Sequence, residues 1–231
     1  MIKIVKVVLA AIVLISLIFY ITLPKINHQP PTTIRIMPIG DSITQGGNIK
    51  QEYTYRYFLY KLLKEKGYKV NFVGSRKSGL KNNFVWPNNF DSDHEGYYGQ
   101  KTAYVANSVV KNLRSLEPVD WAVIYLGTND REIVESLITD PLKNIIHRLR
   151  EKNPNINILL VQIPGWRNIK IHFLIWKLSL ELNSINSNVI TLPLYIKWDK
   201  DKYTFDGAHP NPAGQSVLAK SIASKIGIPD N

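Results

Sequence analysis

The chain has 231 residues, with 29 lysines and arginines against 18 aspartates and glutamates, a formal charge of +11, and no cysteine. Disulfides and lipid-modified thiols are therefore excluded. The basic excess is spread out with no long basic block, and no phosphate-binding glycine loop or nucleic-acid motif is present. Such a surface suits an acidic polymer, an anionic lipid or nucleic acid, but is more simply a solvated basic exterior.

The first stretch is apolar from Val7 to Leu23, broken only by Ser16, Tyr20 and Thr22. As a helix its seventeen residues span roughly 25 Å, near the lower limit for a bilayer core. Lys3 and Lys6 precede it, and no small-x-small cleavage site follows it. It reads as an uncleaved membrane anchor over residues 1–24, with a cleaved signal peptide and a buried core helix as alternatives. The balance of lysines places the N-terminus in the cytoplasm and the remainder outside the cell. The proline-containing stretch before Ile34 reads as a linker over 25–33, leaving 34–231 as one domain. Without Lys3, Lys6 and Lys25 the chain still carries 26 basic against 18 acidic side chains, near +8.

Within that domain, strands and helices alternate. "TIRIMPIG" (33–40) reads as a strand, and Tyr55, Phe58, Leu59, Leu62 and Leu63 mark an amphipathic helix ending near Gly67. "KVNFVG" (69–74) is a second strand. Residues 75–100 form a long irregular segment, of a length that is usually functional or disordered. Phe84, Trp86 and "HEGYYG" favour an ordered, functional loop. A helical stripe at Ala106, Val109, Val110 and Leu113 precedes the strand "DWAVIYLG" (120–127). Leu142, Ile145, Ile146 and Leu149 mark the next helix, followed by the strand "NINILLVQIP". A helix within 170–184, the strand "NVITLPL" and a helix through Ala219, Ile222, Ala223 and Ile226 complete the series. Five strand–helix units in strict alternation predict an α/β fold with a parallel sheet covered on both faces.

Ligands bind at the carboxyl ends of the strands in such a sheet. Four polar clusters fall there: Asp41 and Ser42; Gly96 and Gly99; "GTND" (127–130); and "DGAHPNPAG" (206–214). Each alone is ordinary loop or capping chemistry, but together they supply what acyl transfer needs. Ser42 offers a hydroxyl, His209 a base, and Asp206 a carboxylate to hold the imidazole. The backbone N–H groups of Ser42 and Gly99 and the Asn129 amide could receive an oxyanion. Asp41 most simply shapes the turn at the substrate edge, and with Trp86, Tyr98 and Trp166 it is a candidate substrate contact.

The set "GDSIT", a glycine block, "GTND" and a terminal "DxxH" resembles the GDSL or SGNH hydrolase family over residues 34–218. "RIMPIGDSIT", "YRYFLYKLL", "VNFVGS", "DHEGYYG", "YLGTND", "QIP" and "FDGAHPNPAG" are most similar to its carbohydrate esterase family 3, the acetylxylan esterase-like branch. The resemblance implies a three-layer α/β/α, flavodoxin-like fold with a five-stranded parallel sheet. It implies Ser42 as nucleophile, His209 as base, Asp206 as orienting acid, and Gly99 and Asn129 as oxyanion donors. The expected activity is removal of acetyl or another small acyl group from a carbohydrate. An O-acetyltransferase, a lipid esterase and a silent glycan-binding module are the rivals. Two features depart from the branch: "HEGYYGQ" stands where it shows roughly "HEGHPGW", leaving Gly96 as fallback for Gly99, and many relatives lack an anchor.

Trp86 and Trp166 lie in loops where aromatic faces could stack on sugar, and Tyr98 flanks the oxyanion glycine. Trp198 could stack on sugar or cap the core, while Trp121 and Trp176 read as core. The histidines at 28, 94, 147, 172 and 209 show no ligand spacing. "DSDHE" (91–95) could hold a hard cation but reads more simply as a solvated loop, and the chemistry calls for no metal or cofactor.

Overall fold

The computed structural model describes residues 33–164, 169–194 and 198–228. The expected anchor, most of the linker and Trp166 lie outside them. Among the described residues no helix is long and apolar enough to cross a membrane.

Strand β1 (Ile34–Gly40) runs to the turn that opens α1 (Ser42–Gln45), and α2 (Thr54–Glu65) follows. Then come β2 (Val70–Phe72), β3 (Glu95–Gly96), α3 (Thr102–Asn112), β4 (Trp121–Tyr125) and α4 (Glu135–Lys152). The chain continues through β5 (Asn157–Gln162), α5 (Ile169–Leu182), β6 (Val189–Pro193), α6 (Lys200–Tyr203) and α7 (Pro212–Lys225). Among the described residues all the strand pairs are parallel, in the order β2-β1-β4-β5-β6 with β3 beside β1. Helices α2 and α7 pack together, while α3, α4 and α5 pack in succession. The buried runs of β4 and β5, Ala122–Tyr125 and Ile158–Val161, are apolar throughout, as a strand covered on both faces requires.

The sheet holds one strand more than expected. The two-residue β3 pairs with Ile39 and Gly40 beyond the end of β2, which pairs with residues 34–36. That break accommodates a proline in a central strand. The carbonyls of Ile36 and Gly40 accept from Val73 and Tyr97 on this side. Pro38, midway between them, directs its missing N–H to the same side, into the gap between β2 and β3.

Two further expectations are corrected. Trp176 is not a core residue: it is 48% exposed on α5, on the face opposite buried Ile175 and Leu178. The segment 91–95 is not a solvated loop either. His94 and Glu95 are fully buried, and Asp91 accepts the Phe72 N–H at 2.6 Å.

Candidate active site

The strand order reverses at β1 and β4, and the polar residues gather outside their carboxyl ends. Asp41 ends the β1 run and caps α1, its Oδ1 accepting the Ile43 N–H at 3.0 Å. The cap starts the helix one residue later, so Ser42 sits on its first turn, 4% exposed. His209 Nε2 lies 3.0 Å from Ser42 Oγ, and His209 Nδ1 lies 2.7 Å from Asp206 Oδ2. The acid and the imidazole thus share one short turn. Asp206 Oδ1 closes that turn by accepting the backbone N–H groups of Ala208 at 3.0 Å and His209 at 2.8 Å. Gly207 takes φ +86 there, a value that favours glycine. Partial burial opposes ionisation of Asp206, but these N–H donors and the imidazole hold its carboxyl below its ordinary range.

Gly99 and Asn129 are brought together from different strands. Asn129 Nδ2 donates to the carbonyl of Gln100, the neighbour of Gly99, at 3.0 Å. An amide nitrogen carries two hydrogens, so this bond orients the group and leaves the second available. Asp130 ties the same loops by accepting the N–H of Thr102 at 3.1 Å and its hydroxyl at 2.6 Å. Gly99 takes φ +73, and among the described residues no atom beyond its chain neighbours would come within 4 Å of a Cβ placed on it. Its glycine is needed for backbone conformation, and the space beside it is open. Gly96 differs: an added Cβ would come within 2.6 Å of Gln45 N, so it serves the packing of β3 on α1.

Tyr98 stacks on the His209 ring, with centroids 5.5 Å apart and planes 16° apart. Its N–H donates to Gln45 Oε1 at 2.7 Å, joining it to the serine-bearing helix. Asp41 is wholly buried, so it shapes the turn and presents nothing to a ligand. Burial raises its carboxyl to about 6, against the Ile43 N–H, Thr128 and His209, which lower it. Oδ2 of Asp41 and Oγ1 of Thr128 are both buried, and among the described residues neither has a partner in hydrogen-bonding geometry.

Trp86 differs from the expectation of a free sugar-stacking face. Its ring lies under the Arg56 guanidinium at 4.9 Å, and its indole N–H donates to Lys77 O. Trp198 packs against Tyr203 and the core.

Sequence reasoning passed over Arg56, which is wholly buried. It donates to the carbonyls of Thr44 at 2.7 Å, Gln45 at 3.1 Å and Ser92 at 2.7 Å, bracing the end of α1 against the long segment. Burial lowers its pKa to about 9. The signal in the sequence was an arginine on the apolar stripe of Leu59 and Leu63. Just before it, Thr54 holds φ +62, strained for a β-branched residue.

A serine, an imidazole and a carboxylate in series at the carboxyl edge of a parallel sheet define a hydrolase-type α/β protein. The chain belongs to the GDSL-like lipase/acylhydrolase family, whose pattern matches residues 39–217. It is similar to a multidomain esterase of Ruminococcus flavefaciens, 30% identical over 225 residues covering 84% of this chain. It spans only 28% of that protein's length. A carbohydrate esterase family 3 structure from Talaromyces cellulolyticus superposes with a TM-score of 0.70 at 25% identity, covering 84% of this chain and 96% of that one. A family 3 carbohydrate esterase of Clostridium thermocellum gives 0.65 at 26% identity, covering 83% and 94%.

Proposed function

We propose that this protein is a serine esterase that removes acetyl groups from a carbohydrate through an acyl-enzyme. The observation that carries this reading is the continuous relay from Ser42 Oγ through His209 to Asp206, at 3.0 and 2.7 Å. His209 Nε2 takes the Ser42 proton as Oγ attacks the ester carbonyl. Asp206 keeps the Nδ1 proton in place and stabilises the imidazolium that forms. The N–H groups of Ser42 and Gly99 and the Asn129 amide receive the developing oxyanion. His209 then protonates the departing sugar hydroxyl, which leaves Ser42 acetylated. A water deprotonated by His209 attacks the acetyl carbonyl, and Oγ leaves with the proton, releasing acetate.

The small-acyl, carbohydrate part of the reading is supported by the two similar structures described as family 3 carbohydrate esterases. The apolar, lysine-flanked stretch at Val7–Leu23 supports a single-pass anchor with the domain outside the cell. The test is acetate release from acetylated xylan, beside a series of para-nitrophenyl acetate, butyrate and octanoate. Release from the polymer and a preference for acetate are expected. Rates that rise with chain length would contradict the reading and favour a lipid esterase.

A further inference from the structure

The segment between β2 and β3 is fastened to the loop that follows Ser42. Leu80 N donates to Gly46 O at 2.8 Å and Lys81 N to Gly47 O at 3.1 Å. Gly47 and Gly79 meet so closely that a Cβ on either would fall 2.5–2.7 Å from the other's Cα. Beyond this junction lies a cavity of about 520 Å³, lined by Asn48, Lys50, Tyr53, Lys81, Asn83 and Phe84 among others.

The cavity is connected to the relay. Asn48 Nδ2 donates to the Tyr98 hydroxyl at 3.3 Å, and the Tyr98 ring stacks on His209. Its own chemistry is that of a sugar site with a positive charge. Tyr53 and Phe84 pack edge to face at 5.8 Å and offer an apolar wall for a pyranose face. Asn48 and Asn83 carry amides suited to hydroxyl groups. Lys50 and Lys81 are exposed, and neither takes part in an ion pair among the described residues. Among the described residues no carboxylate lines the cavity. The nearest in sequence, Glu52, is turned inward and held by the N–H groups of Asn48 at 2.7 Å and Ile49 at 3.4 Å.

We propose that this cavity is a subsite for an anionic sugar chain. One sugar places a carboxylate against Lys50 and Lys81 while a neighbouring sugar presents its acetyl ester to Ser42. A carboxylate fits better than a phosphate. The backbone N–H nest and the arginine fork that hold many phosphates are both missing from this lining, since Glu52 already occupies the N–H groups of Asn48 and Ile49. The proposal rests on the carbohydrate esterase reading and narrows its substrate class.

Calorimetric titration of the full chain carrying Ser42→Ala, with an oligogalacturonate and with an uncharged xylo-oligosaccharide, tests the subsite independently of turnover. The acidic oligomer is expected to bind about tenfold more tightly, with the preference shrinking as salt is raised. Adding Lys50→Gln and Lys81→Gln should erase that preference, and Asn83→Asp should reduce it, with thermal melting unchanged. Equal affinity for the two oligomers, or a preference that survives the lysine substitutions, would overturn the proposal. So would lysine-dependent binding of phosphatidylglycerol vesicles without binding of the oligogalacturonate. Acetate release from acetylated pectin and acetylated xylan by the unsubstituted chain reports separately on the esterase reading. Failure on both polymers would remove that reading even where the acidic oligomer binds.

Discussion

Asp41 stands beside the serine and yet is sealed from solvent, and its titration should be visible in stability. Its carboxyl titrates near 6 in the folded protein, above an ordinary aspartate near 4. Between those values the folded state binds the proton more readily than the unfolded state. Stability therefore falls as pH rises through this window, by at most about 3 kcal/mol. Asp41→Asn keeps an oxygen for the Ile43 N–H and should flatten that slope, as urea unfolding from pH 4 to 8 would show. The two glycines of the block that follows β2, Gly96 and Gly99, should also part company. Gly96→Ala forces a Cβ to 2.6 Å from Gln45 N and is expected to cost more than about 2 kcal/mol. Gly99→Ala meets only the left-handed backbone penalty of about 1–2 kcal/mol. It should fold while turning over slowly, and thermal melting beside an acetate-ester assay distinguishes the two. Ser42, His209, Asp206 and Asn129 were legible in the sequence because acyl transfer narrows the residue types that can serve. Trp86 was not, because its ring and its N–H are claimed by Arg56 and Lys77, partners known only once the chain is folded.

The α1 helix is four residues long and cannot hold itself in place. Asp41 closes one end and Arg56 the other, with Gln45 reaching out to the Tyr98 N–H. Arg56→Met would leave the carbonyls of Thr44, Gln45 and Ser92 without their donor. Relief of the buried charge offsets part of that loss, so the net cost should be about 2–4 kcal/mol by urea unfolding. The residual activity should show a lower kcat, because the serine at the start of α1 is misplaced. Elements with long periodic patterns, such as α2 and α4, were predictable from their apolar spacing. The two-residue β3 was not, since its existence depends on where the long segment returns to β1. Trp176 shows the limit of reading burial from residue type, for an aromatic on a helix is not obliged to face inward.

Across the whole molecule, the parallel sheet brings residues 41–42, 99, 129 and 206–209 to one edge although nearly 170 positions separate the first from the last. The alternation of strands and helices was enough to anticipate this, because ligand sites in such sheets lie outside the carboxyl ends near the reversal of strand order. The outer cavity was not anticipated, since the pinning of residues 79–81 to Gly46 and Gly47 is a tertiary fact with no local pattern. The central claim is that this edge transfers an acyl group through Ser42. Hydrolysis of para-nitrophenyl acetate by the full chain, beside Ser42→Ala and His209→Ala, tests it most directly. A measurable rate in the wild type, with kcat reduced by about 10³-fold or more in both variants, is the expected result. An active Ser42→Ala protein would contradict the account, since no other residue then could carry the acetyl group as described.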